Sequence, residues 1–174
     1  MRQCAECAGR RLAFVRARAA VEYDEPVRRV VAAWKERGLR RLAGWAAAVM
    51  AEAVPRPDAA CLLHIPGDPD RRLERGHHAA ERLARELAGA WELPVEPILR
   101  REAGSQRQRG LSRTERRRNI ADAFSTVGRV PAQVCLVDDV YTTGATVNAA
   151  ASTLRKAGAK RVEVVTFART IRVR

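Results

Sequence analysis

An α/β fold with a mostly parallel sheet is what this sequence predicts, and three observations carry the prediction. Val134 to Val137, Thr146 to Ala157 and Arg161 to Ala168 read as strand, helix and strand, an order that builds a right-handed βαβ crossover. Ala60 to Ile65 is a short apolar run bounded by prolines, which suits a strand buried on both faces. Across the body, helical periodicity alternates with such runs instead of segregating to one end. A chain of 174 residues has room for one substantial core and a small appended element.

The elements follow in order. Met1 to Ala19 is basic, carries Cys4-Ala5-Glu6-Cys7 at its head, and reads as an irregular arm. Residues 1–22 are therefore expected to form this arm and residues 23–174 the globular body. Val27, Val30, Val31 and Trp34 recur at helix spacing, with Asp24 or Glu25 before Pro26 as the start signal and Gly38 as the stop. A second helix has Leu42, Trp45, Ala46, Val49, Met50 and Ala53 on its apolar side, and Pro55 and Pro57 close it. After the strand at Ala60 to Ile65, a helix beginning near Gly76 presents Ala80, Leu83, Leu87 and Ala90 at periods of three and four. Leu93 to Leu99 is a further strand, which Pro94 and Pro97 confine to a sheet edge. Gly104 to Arg118 is polar, basic and without an apolar face, a loop long enough to suggest either a lid or a disordered segment. Gly158 stops the last helix.

Composition bounds the function classes. The hydrophobic fraction is 47%, yet no apolar run approaches the length of about 18 residues that suggests a membrane span. Met1 to Arg11 lacks a signal peptide's apolar core, so a cytoplasmic location is the expectation. A formal net charge of +13 points to anionic partners such as nucleic acid, nucleotides or phosphorylated sugars. Arginine bias dilutes that signal, because only Lys35, Lys156 and Lys160 are lysine. Cys61 and Cys135 lie inside apolar runs and read as packing residues.

The informative string runs from Val134 to Thr146, with Asp138 and Asp139 placed where the strand Val134 to Val137 ends. In open α/β sheets ligands gather at the carboxyl ends of strands. Beyond the acids, Val140, Tyr141, Thr142, Thr143, Gly144, Ala145 and Thr146 lead into a helix start, where free backbone N–H groups and the helix dipole favour an anion. Threonine hydroxyls add donors, and Gly144 lets the backbone approach closely. Two carboxylates would repel a phosphate unless they face another part of the ligand. Turned to two ribose hydroxyls, they accept hydrogen bonds while the turn holds a 5′-phosphate, which implies a ribose 5-phosphate. The plainer alternatives are a helix-capping turn with Thr142 or Thr143 as N-cap, and a metal-binding acid pair.

The string resembles the phosphoribosyl pyrophosphate (PRPP) motif of type I phosphoribosyltransferases. That resemblance implies a Rossmann-like domain, a mostly parallel sheet flanked by helices, with the short Cys-x-x-Cys arm attached. It also implies Mg²⁺ held through the pyrophosphate and ribose hydroxyls of PRPP, displacement of pyrophosphate at C1, and Asp138 and Asp139 as catalytic residues that stabilise charge on the ring. Over most of its length the chain is similar to the ComF family, the competence-associated phosphoribosyltransferase-like proteins. Cys4 and Cys7, Tyr23, Lys35 and Gly38, Arg75 and Gly76, Gln108 and Leu111, Arg116 and Asn119, and Ala123 with Phe124 carry this similarity in order and spacing.

Two departures stand out. The family's four-cysteine zinc site needs a second pair, and Cys4 and Cys7 alone supply half of a tetrahedral set. His77-His78 replaces an aromatic residue and Asn after Arg-Gly. The resemblance further implies that the loop of Pro66, Gly67 and Asp68, after the strand ending near His64, contacts pyrophosphate, with Gly67 letting backbone N–H groups face it; an ordinary turn is the plainer alternative. The basic loop would close arginines over the leaving group; Arg116 is the leading candidate, with Arg101, Gln108, Asn119 and, from the first helix, Lys35 beside it. Either an enzyme transferring phosphoribosyl to an acceptor, or a PRPP-binding adaptor whose arginines contact single-stranded DNA or a DNA-uptake partner, is compatible with these residues. Few aromatic side chains are available for stacking on single strands.

Overall fold

The computed structural model describes residues 9, 11–36, 39, 41–67, 79–102 and 123–171. Its elements are β1 (Arg16–Glu22), α1 (Glu25–Glu36), α2 (Leu42–Ala53), β2 (Cys61–His64), α3 (Ala79–Trp91), β3 (Leu99–Arg101), β4 (Phe124–Thr126), β5 (Gln133–Tyr141), α4 (Ala145–Lys156) and β6 (Arg161–Arg169). Four strands form one parallel sheet in the order β1-β6-β5-β2, and β3 pairs antiparallel with β4.

The apolar run of β5 explains the layering. Val134, Cys135, Leu136 and Val137 are all fully buried, as a strand covered on both faces requires. Val134 and Leu136 pack with Val147, Ala150 and Leu154 of α4, whereas Cys135 and Val137 pack with Trp34 of α1, Met50 of α2 and Leu83 and Leu87 of α3. Cys61 and Cys135 are buried and free, and burial raises both thiol pKa values, that of Cys61 to about 11. They behave as packing residues, as their sequence context predicts.

Several boundaries differ from expectation. Arg16 to Ala19 is not irregular: it opens β1, which pairs with β6 from Arg16↔Glu163 onward. The alternation there is weak because an edge strand is only half-buried, so periodicity gave no signal. Trp45 is exposed, its indole set edge-on to the buried Phe167 at 5.6 Å, and Ala53 is exposed too. The small residues Ala43 and Ala47 are buried in their place, because close helix packing favours small side chains at the contact. Ala90 is likewise exposed, and Ala84 and Trp91 complete the buried stripe of α3. Of Leu93 to Leu99, only Val95 bridges the outer edge of β2, at Leu62, before β3 begins at Leu99. Pro94 and Pro97 lack the N–H groups a longer ladder needs. The segment Gly104 to Arg118 lies outside the described residues, and among those that are described no helix is long and apolar enough to cross a membrane.

Candidate functional site

The two acids lie inside β5, not after it, because that strand continues to Tyr141. The ligand-edge position survives for a different reason. β2 pairs with β5 only as far as His64↔Val137, and the Ile65 N–H then donates to the Val137 carbonyl at 3.0 Å. Asp138 to Tyr141 run on past the end of β2, still paired with β6. A gap in the sheet edge therefore opens beside the acids, flanked by Ile65, Pro66 and Gly67.

Asp139 is buried and Asp138 half-buried. The Asp139 backbone N–H donates to Asp138 Oδ1 at 2.9 Å. Burial, and then the neighbouring Asp139 charge, hold the Asp138 carboxyl well above the usual carboxylate range, partly offset by Lys35. Lys35 arrives from the last turn of α1, whose start is fixed by Asp24 Oδ1 accepting from the Val27 N–H at 2.9 Å. Val31 and Trp34 bury the inner face of that helix, and Lys35 Nζ lies 2.5 Å from Asp139 Oδ2.

The turn after the acids is built as a cradle. Thr142, Thr143 and Thr146 are exposed, while Tyr141 and Gly144 are buried beneath them. Gly144 itself occupies the N-cap of α4 at φ +71°, and no side chain caps that helix. Capping by Thr142 or Thr143 is therefore not what the string does; Thr143 Oγ1 accepts from the Ala145 N–H at a long 3.4 Å. Any Cβ at Gly144 would collide with the Tyr141 phenol, so glycine is required both by conformation and by this ring. Thr170, at the end of β6, ties the turn from below: its N–H donates to the Tyr141 carbonyl at 3.0 Å and its hydroxyl to the Thr142 carbonyl at 3.1 Å. The uncapped helix start is left with the positive end of its dipole directed at the threonines.

Pro66 and Gly67 line a cavity of about 790 Å³ together with His64, Arg100, Arg101 and Arg129. Arg100 and Arg101 belong to β3 and not to the basic loop; Arg101 stacks its guanidinium over Phe124 at 5.5 Å. Structure thus brings Arg101 to the same cavity as the Pro66-Gly67 turn, and Lys35 to the acids. Asp68, Gln108, Arg116, Asn119, Cys4 and Cys7 lie outside the described residues, as do Arg75 to His78. Sequence reasoning missed Thr170 and the role of the Tyr141 ring. A threonine just past a strand carries no signal of its own, since its partner is 28 residues away.

Among the described residues no group of three or more His, Cys, Asp and Glu is placed to hold a metal ion, and Asp139 has an ammonium against it. Such a site fits Mg²⁺ only if the ion is carried on a ligand's own oxygens.

Residues 73–172 match the family model of the phosphoribosyl transferase domain. Competence protein F of Haemophilus influenzae is 34% identical over 143 residues, covering 78% of this chain and 62% of that protein. Competence protein ComFC of Streptococcus pneumoniae is 36% identical over 106 residues, covering 60% of this chain and 46% of its own length. The match thus spans about half to three-fifths of these relatives. A solved glutamine PRPP amidotransferase from B. subtilis, complexed with ADP and GMP, superposes with a TM-score of 0.51 at 24% identity, over 71% of this chain and 26% of that one, which shows the shared fold. With an acid pair beyond the end of β2, a glycine-capped helix start beside it and a domain match over more than half its length, the chain belongs to the phosphoribosyl transferase domain family, as a type I member of the ComF kind.

Proposed function

We propose that the chain binds PRPP and transfers its phosphoribosyl group to an acceptor with release of pyrophosphate. Asp138 and Asp139 accept hydrogen bonds from the two ribose hydroxyls. The backbone of Val140 and Tyr141 carries the turn Thr142, Thr143, Gly144, Ala145 and Thr146, whose N–H and hydroxyl donors hold the 5′-phosphate. Gly67 and Asp68, next to Pro66 in sequence, offer backbone donors to the pyrophosphate, with Arg101, Gln108, Arg116 and Asn119 as the candidate side-chain donors. Any Mg²⁺ would enter with PRPP, not on a metal cluster of the protein, and would supply charge neutralisation for the leaving pyrophosphate. The C1–O bond to pyrophosphate breaks as the acceptor's nucleophile bonds to C1, and the acid pair stabilises positive charge developing on the ring.

One observation carries this assignment: the helix start of α4 is capped by a left-handed glycine and by no side chain, directly after two carboxylates. Calorimetric titration of PRPP with Mg²⁺ tests it. Wild type is expected to bind saturably. The Asp138→Asn/Asp139→Asn variant is expected to lose about a hundredfold or more, since each hydrogen bond to a charged acceptor contributes about 1.5–3 kcal/mol. Equal binding by the double variant refutes the assignment.

A second function has one observation in its favour, that both relatives are named competence proteins. Here the PRPP site acts without turnover, and the arginine-rich surface contacts single-stranded DNA or a DNA-uptake partner. Pyrophosphate release in the presence of an acceptor panel separates the two. Affinity for DNA that falls steeply with added salt supports the adaptor.

A further inference from the structure

We propose that Lys35 is a positioning residue for the acid pair, the counter-charge that lets Asp138 and Asp139 present acceptors at one end of the sheet. The inference rests on the ribose-binding role proposed above and adds to it a residue from a different part of the chain. Lys35 lies more than a hundred residues before the acids in sequence, yet its ammonium sits 2.5 Å from Asp139 Oδ2.

Burial sets this ion pair apart. The Lys35 and Asp139 side chains are only 27% and 11% exposed, against 62% and 52% for the Arg28–Glu25 pair on the outer face of the same helix. A lysine in a last helical turn is ordinarily free to reach water, and drying an ammonium and a carboxylate together costs several kcal/mol before their attraction offsets it. Exposed pairs such as Arg28–Glu25 contribute little and avoid that cost. Lys35 instead follows the acid that most needs a cation, one buried beside a second carboxylate.

Lys35 forms the salt bridge to the acid pair, and other polar groups stand around it. His64 ends β2 level with Val137, Thr166 of β6 faces Asp138 in register, and Arg169 of β6 is set over the Tyr141 ring at 5.9 Å. Lys35 is also the cation that offsets the rise of the Asp138 carboxyl. Without it the two acids share a proton more readily, and a protonated carboxyl loses part of its acceptor capacity and the charge that strengthens a hydrogen bond from a hydroxyl.

The test compares wild type, Lys35→Arg and Lys35→Met, each first shown to be folded by circular dichroism. PRPP with Mg²⁺ is titrated calorimetrically between about pH 6 and 9, the range in which a buried carboxyl of this kind titrates. Because the ligand's own phosphate titration is common to all three proteins, it cancels in the comparison. Lys35→Met is expected to lose about tenfold in affinity near neutral pH, equivalent to one pKa unit, and to recover most of it toward the alkaline end. Lys35→Arg should stay within about threefold of wild type throughout. A loss equal at every pH, or no loss, overturns the proposal. A ligand-free arm separates it from the PRPP assignment: carbon-13 carboxyl titration of Asp138 should move to higher pH in Lys35→Met. If that shift occurs while wild type binds no PRPP, the ligand assignment falls and the role of Lys35 stands; if the shift is absent, the role of Lys35 falls whatever PRPP does.

Discussion

At the scale of single residues, Asp138 shows how a binding site trades against stability. Its carboxyl is held above its ordinary value by burial and by Asp139, so the folded protein keeps a proton that the unfolded chain releases. Between the two pKa values the folded state binds more protons, and stability therefore falls as pH rises through that window. The contribution is least unfavourable below about pH 4, where the carboxyl is neutral in both states. Asp138→Asn removes the titration and can still accept from the Asp139 N–H. Its melting temperature should match wild type near pH 4 and exceed it by about 3 °C near pH 8, the change about 1 kcal/mol produces in a chain of this size. Thermal denaturation across that range checks it, and a difference that does not vary with pH contradicts it.

Elements show where the sequence was readable and where it was not. β5, α4 and β6 were legible within a few residues, because a fully buried strand, an amphipathic helix and a second buried strand each leave a strong pattern. The end of β5 was placed too early: Asp138 and Asp139 broke the apolar run, although backbone pairing with β6 continues to Tyr141↔Arg169. Polarity marked the end of one neighbour, β2, and not the end of the strand itself. β1 was invisible because its half-buried residues alternate poorly, and Trp45 was misplaced because the period of α2 fits two faces when nearly every residue is apolar. In the site, the acids and the glycine turn were readable as a string, whereas the Lys35 and Thr170 contacts depend on tertiary placement. The turn itself yields a prediction. Gly144→Ala forces both an L residue into φ +71° and a methyl into the Tyr141 phenol, at a cost of about 1–3 kcal/mol. Loss of stability in that range by denaturant titration, together with weakened PRPP binding, is expected; an unperturbed protein would show that the ring is not held beneath the glycine.

For the whole molecule, the sheet acts as a rigid base that gathers distant segments at one edge. The parallel order β1-β6-β5-β2 directs all four strand ends the same way, so α1, the Ile65 to Gly67 turn, the acids, the α4 start and Thr170 meet there. Cover from α4 on one face and from α1, α2 and α3 on the other leaves that edge as the place where polar groups remain available. The most direct test of the resulting geometry is amide nitrogen–proton correlation NMR during titration with ribose 5-phosphate, then with PRPP and Mg²⁺. Both ligands should shift the amides of Thr142 to Val147 and Asp138 to Asp139, and PRPP alone should add shifts at Ile65 and Gly67. Saturable shifts that leave Thr142 to Val147 unmoved would contradict the account.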